Sequence, residues 1–128
     1  MADQPKKVLV IEDETDIITI LSFRLEKAGF EIISARDGKT GLALAREQRP
    51  DLIILDLMLP ELPGEEVCKT IREDEDEGFA KTPIIMVTAK IGEVDRIIGK
   101  SLGANSYITK PFEVEDLIEE IEKILVPS

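Results

Sequence analysis

The chain has 128 residues, about the length of one ordinary domain, and a net charge of −11, which argues against direct nucleic-acid contact because that needs a basic patch. It has no histidine and one cysteine, which removes His-based acid–base catalysis, most transition-metal sites and any intrachain disulfide. No apolar run approaches the roughly 20 residues of a membrane helix, and Met1 to Lys7 lacks the apolar core of a signal peptide, so the expected location is the cytoplasm with no membrane partner.

Five short apolar runs of strand length occur in order: Val8–Ile11, Glu31–Ala35, Leu52–Leu55, Ile84–Val87 and Ser106–Thr109. The first, third and fourth are continuously apolar, as expected for strands buried on both faces of a parallel sheet. Helical patterns lie between them. In the first helix Ile17, Leu21, Leu25 and Ala28 recur on one face and Gly29 marks the stop. The second runs from about Gly38 to Gln48, with Leu42 and Ala45 inward. The third starts near Pro63-Gly64, ends by Glu73 and carries Cys68, read as a packed thiol. The acidic run Glu73 to Gly78 reads as a solvated loop. The fourth helix carries Val94, Ile97, Ile98 and Leu102, then Gly103; the fifth carries Leu117, Ile118, Ile121 and Leu125. This alternation predicts an α/β fold, a doubly wound five-stranded parallel sheet with five helices, spanning residues 1–128 as one domain.

Parallel strands end at one edge, where ligands of such folds bind. Glu12 and Asp13 follow the first strand, Asp56 the third, Thr88 the fourth and Lys110 the fifth, while the second ends in Ala35-Arg36-Asp37 and suits a sheet edge. Three carboxylates against one ammonium leave a local charge that a divalent cation such as Mg²⁺ would offset. Asp56 could then attack phosphorus as a carboxylate nucleophile, with Lys110 and the Thr88 hydroxyl holding the phosphoryl oxygens. Taken singly, Asp13 and Thr88 suit helix caps equally well, and Lys110 reads as a surface lysine. The weight lies in the joint pattern.

The blocks Val8 to Glu14, Asp51 to Pro60, Pro83 to Ala89 and Gly103 to Phe112 resemble the receiver domains of bacterial response regulators, in order and spacing, from Lys7 to Leu125. The resemblance implies the flavodoxin-like strand order 2-1-3-4-5. It implies phosphorylation of Asp56 by a sensor histidine kinase or phosphotransfer protein, and a downstream protein target. It implies Mg²⁺, with Mn²⁺ as a substitute, held by Asp13, Asp56 and the backbone carbonyl of Met58, with Glu12 acting through water. It implies a cis peptide before Pro111, and a switch pair, Thr88 and Tyr107, that alters the face of the fourth helix, fifth strand and fifth helix. From the residues alone, Tyr107 is a half-buried aromatic on an edge strand.

Met58 and Lys90 lack a carboxylate or amide to orient an attacking water, so slow hydrolysis of the aspartyl phosphate is expected. The fifth helix carries glutamates where receivers of winged-helix transcription factors carry arginines, and Asn105-Ser106 replaces their Asp pair, so that subfamily's salt-bridged dimer is in doubt; monomer and phosphorylation-dependent dimer both stay open. A receiver fragment of a longer regulator is an open alternative. A flavin electron carrier would need a phosphate loop where Glu12-Asp13-Glu14-Thr15 stands, and an Asp-nucleophile phosphatase would want an acid where Met58 is.

Overall fold

The computed structural model describes residues 5–89 and 92–125. Five parallel strands, β1 (Lys7–Ile11), β2 (Glu31–Ala35), β3 (Leu52–Leu55), β4 (Ile84–Thr88) and β5 (Ser106–Thr109), form one sheet in the order β2-β1-β3-β4-β5. The continuously apolar runs occupy the three central positions, where both faces are covered: β1 past Lys7, and all of β3 and β4, are buried. The mixed runs β2 and β5 are the edges.

Alternation along the strands splits the core in two. Leu9, Ile11, Ile53, Leu55, Ile84 and Met86 face one side, covered by α2 (Gly38–Gln48), α3 (Gly64–Arg72), α4 (Glu77–Ala80) and α5 (Glu93–Ser101). Val8, Val10, Leu52, Ile54, Ile85 and Val87 face the other, covered by α1 (Thr15–Lys27) and α6 (Val114–Leu125). Of the inward positions the spacing indicates, Leu21 and Leu25 on α1 and Leu117 and Ile121 on α6 are buried, whereas Ala28 is exposed at the C-cap of α1.

Two features depart from the sequence reading. The acidic run does not stay a loop throughout: its end forms the one-turn α4, because the Asp76 carboxylate accepts the Phe79 amide at 3.1 Å and Phe79 drops into the core. The predicted fourth helix, here α5, turns its apolar residues outward. Val94, Ile97 and Ile98 are 67, 59 and 46% exposed, whereas Gly99 is buried against the sheet. Tyr107 is the reason for that rotation. A methyl group on Gly99 would lie 2.7 Å from its ring, so only glycine lets the helix seat on β5.

Candidate functional site

β1, β3 and β5 deliver the residues that follow them, and β4 its last residue, Thr88, to one rim. The parallel ladder continues one step past the strands and fixes them there: the Asp56 amide donates to the Ile11 carbonyl at 3.0 Å, and the Lys110 amide to the Thr88 carbonyl at 2.8 Å. Asp56 is further held by α3, whose first residue, Gly64, packs directly on the Asp56 and Leu57 backbone; the Gly64 amide donates to the Leu57 carbonyl at 3.1 Å. Any side chain at Gly64 would displace the strand end that carries Asp56.

Glu12, Asp13 and Asp56 each bring a carboxylate oxygen within 4.8 Å of the others. Glu12 and Asp56 are buried, and Asp13 is half-buried. The Asp56 Oδ1 accepts the Met58 amide at 3.0 Å, and Oδ2 accepts Lys110 Nζ at 3.0 Å. Lys110 Nζ also reaches Glu12 Oε1 at 2.9 Å and Glu14 Oε1 at 2.8 Å, so three carboxylates take its three protons. Burial alone would lower the Lys110 ammonium; hydrogen bonds to Glu14, Glu12 and Asp56 outweigh it and hold the group above the usual lysine value. Burial pushes the Glu12 carboxyl up, against the lowering effect of Lys110 and the Glu14 amide, with Asp56 adding to the rise.

The cap alternatives fail. The N-cap of α1 is Glu14 rather than Asp13, and that of α5 is Gly92 rather than Thr88. Lys110 is no surface lysine, with a side chain 13% exposed. The Lys110–Pro111 peptide is cis. Thr88 is fully buried at the end of β4. Tyr107 is buried on β5, more deeply than a half-buried edge aromatic, with the Arg96 guanidinium 5.7 Å from its ring centre. Met86 pairs with Tyr107 and Thr88 with Thr109, so Thr88 and Tyr107 project from the same face of the sheet. Met58 stands in solvent, 57% exposed, beside Asp56. Lys90 lies outside the described residues. Cys68 is buried in α3, away from the rim, and burial raises its thiol.

Two contributors were missed. In the sequence Glu14 is one more charge in the β1–α1 loop, yet in the fold it is the third anchor of Lys110. Arg36, just past the end of β2, donates to the Asp13 backbone carbonyl at 3.2 Å. Their short distance in sequence from Asp13 and from the end of β2 was the available signal. Reach across the rim is set by tertiary structure.

The family model of the response regulator receiver domain matches residues 8–122. The chain belongs to the response regulator receiver family. A curated relative, the alkaline phosphatase synthesis transcriptional regulatory protein PhoP of Bacillus subtilis, is 44% identical over 120 residues, which are 94% of this receiver but 48% of the relative, so the chain spans about half of that protein's length. Among solved structures, chemotaxis response regulator CheY4 of Vibrio cholerae superposes with a TM-score of 0.87 at 34% identity, covering 95% of this receiver and 100% of that chain. The receiver domain of a sensor histidine kinase from Pseudomonas aeruginosa, with a TM-score of 0.84 at 29% identity, covers 94% of this receiver and 98% of that chain. That structure holds a magnesium ion in its active-site cleft. The acidic cluster here is of the receiver Mg²⁺-site kind, with an all-oxygen donor set suited to a hard divalent cation. Family membership makes this receiver a phosphoaccepting module of two-component signalling rather than a turnover enzyme.

Proposed function

We propose that Asp56 accepts a phosphoryl group from a phosphohistidine on a sensor histidine kinase or phosphotransfer protein, and that the resulting aspartyl phosphate changes the α5-β5-α6 face read by a downstream protein. The carrying observation is the Asp56 carboxylate, buried at the rim between Lys110 at 3.0 Å and the oxygens of Glu12 and Asp13. An Asp56 oxygen bonds to phosphorus, the P–N bond breaks, and its electron pair returns to the donor imidazole. Asp13, Asp56 and the Met58 carbonyl would hold Mg²⁺ or Mn²⁺, with Glu12 acting through water. The cation would neutralise phosphoryl charge as it develops. Lys110, already aimed at Asp56, redirects one N–H to a phosphoryl oxygen, and the Thr88 hydroxyl takes another. Because Thr88 and Tyr107 share a sheet face, a shift of Thr88 frees or fills space for Tyr107.

An apolar groove supports a protein donor. Ile17, Ile20 and Leu21 of α1 face Pro111, Phe112 and Val114 across it, and Glu14 and Lys110 also line it. A helix bearing phosphohistidine would lie there with its imidazole at the rim. Such a relay fits the cytoplasm. Among the described residues no helix is long and apolar enough to cross a membrane.

The test is intact mass after incubation with Mg²⁺ and acetyl phosphate. A gain of one phosphoryl group is expected in the parent, none in Asp56→Ala, and none when Mg²⁺ is chelated. A gain that survives in Asp56→Ala would sink the assignment of the acceptor, and steady turnover of a phosphomonoester would favour a phosphatase instead.

A further inference from the structure

Lys110 divides its three protons among carboxylates of unequal standing. The side chains of Glu12 and Asp56 are 3 and 4% exposed, whereas that of Glu14 is 60% exposed. A buried carboxylate stripped of its cation stays in a poorly screening interior, which is strongly destabilising. An exposed one is taken up by water with little loss, because surface ion pairs are weak. Of the three bonds, the one to Glu14 is the least costly to exchange.

The backbone around Glu14 is fixed independently of its side chain. Its amide donates to Glu12 Oε2 at 3.0 Å, and its carbonyl accepts the Ile17 and Ile18 amides at 3.1 Å each. Glu14 is the N-cap of α1, but its side chain makes no cap hydrogen bond. Serine, threonine, aspartate or asparagine would serve the helix better there. The position forgoes that stability, and its carboxylate turns instead to Lys110 Nζ, 2.8 Å away and 96 residues later in the chain.

We propose that Glu14 is a positioning residue that stands in for the phosphoryl group: it holds the Lys110 proton that a phosphoryl oxygen takes, and so competes with the ligand for it. The inference rests on the reading of Asp56 as the acceptor and names the partner that Lys110 gives up. The competition lowers the affinity of the rim for phosphoryl-like anions by the strength of one exposed ion pair. Neutralising or shortening Glu14 removes the competitor, while Glu12 and Asp56 keep Lys110 at the rim.

The test uses beryllofluoride, an anion of phosphoryl shape that takes a carboxylate oxygen as its fourth ligand and transfers nothing. It is titrated into ¹⁵N-labelled protein at saturating Mg²⁺, for the parent, Glu14→Gln, Glu14→Asp and Asp56→Ala. Glu14→Gln is expected to bind about two- to fivefold more tightly than the parent, the worth of an exposed ion pair. Glu14→Asp keeps the charge but is one methylene shorter and better suited to capping α1, so it should tighten binding nearly as much. Damage to the fold weakens binding, so a gain in both variants isolates the competition. Unchanged affinity in Glu14→Gln would overturn the proposal, and weaker binding would make Glu14 a fixed support of Lys110 instead. Glu14→Asp matching the parent would overturn it in favour of charge repulsion at a distance. Shifts that persist in Asp56→Ala, or their absence from the parent, would bring down the acceptor reading and this one with it, so a failure confined to the Glu14 variants is distinguishable.

Discussion

Lys110 shows how one side chain can organise a site before any ligand arrives. Its three N–H groups are divided among Glu12, Glu14 and Asp56, which keeps the ammonium over the Asp56 carboxylate with little freedom left to lose on ligand binding. The same residue scale governs how long the modification would last. Met58 N–H is spent on Asp56 Oδ1, and its thioether, largely in solvent beside the rim, offers no group to hold a water in line. Met58→Asn supplies such an amide and should shorten the aspartyl phosphate half-life at least severalfold, measured as loss of the added mass after removing the phosphodonor. An unchanged or longer half-life would count against water positioning as the determinant. The strand-end residues were legible from sequence because burial forces apolar runs to end where polar chemistry begins. Glu14 was not, because a carboxylate beside two others looks like more of the same until its reach to Lys110 is known.

At the scale of elements, the loops opposite the site are tied by a different cation. Arg72, the last residue of α3, donates to the carbonyls of Ala80 and Thr82 at 2.8 Å each, so it closes α4 onto the start of β4. It also donates to the Gly103 carbonyl at 2.8 and 3.0 Å, and to Asn105 Oδ1 at 3.1 Å. Asn105 Oδ1 in turn accepts the Ile84 amide at 2.9 Å. Arg72 thus joins four segments through groups the backbone leaves unpaired. Replacing it by Met keeps the stem and strands these acceptors, so Arg72→Met should cost about 2–4 kcal/mol, read as a lower urea midpoint with the slope unchanged. Arg72→Lys should recover only part of it, since one ammonium cannot reproduce the guanidinium fork. Full recovery by lysine would show that charge rather than geometry matters there. Element positions followed the apolar pattern closely, down to the bounds of β2, α2 and β3. The rotation of α5 did not, because Val94, Ile97 and Ile98 announce a helical period without saying what covers it. Gly99, the residue that faces the sheet, carries no hydrophobic signal at all.

The whole molecule carries a net charge of −11, and the fold gathers three of its carboxylates at one rim, two of them buried. Lys110 offsets one charge; the rest is repulsion that the folded chain bears and the unfolded chain, with its carboxylates dispersed, does not. The site is therefore predicted to lower the stability of the metal-free protein, and a divalent cation to restore it. A ligand that binds only the folded state adds about 1.4 kcal/mol at ten times its dissociation constant, so Mg²⁺ should raise the melting temperature in a saturable way. Asp13→Asn separates this from a general effect of charge. Asp13 belongs to the cluster and is half-buried, so its neutral amide should raise the melting temperature of the metal-free protein while abolishing most of the Mg²⁺ increment. Glu47→Gln removes the same charge from an exposed position on α2, and should change neither. If Asp13→Asn melts like Glu47→Gln without metal and still gains stability from Mg²⁺, the rim carboxylates neither strain the fold nor hold the ion. The opposite pattern would mean that the fold gives up stability at this edge for a charge arrangement that a cation completes.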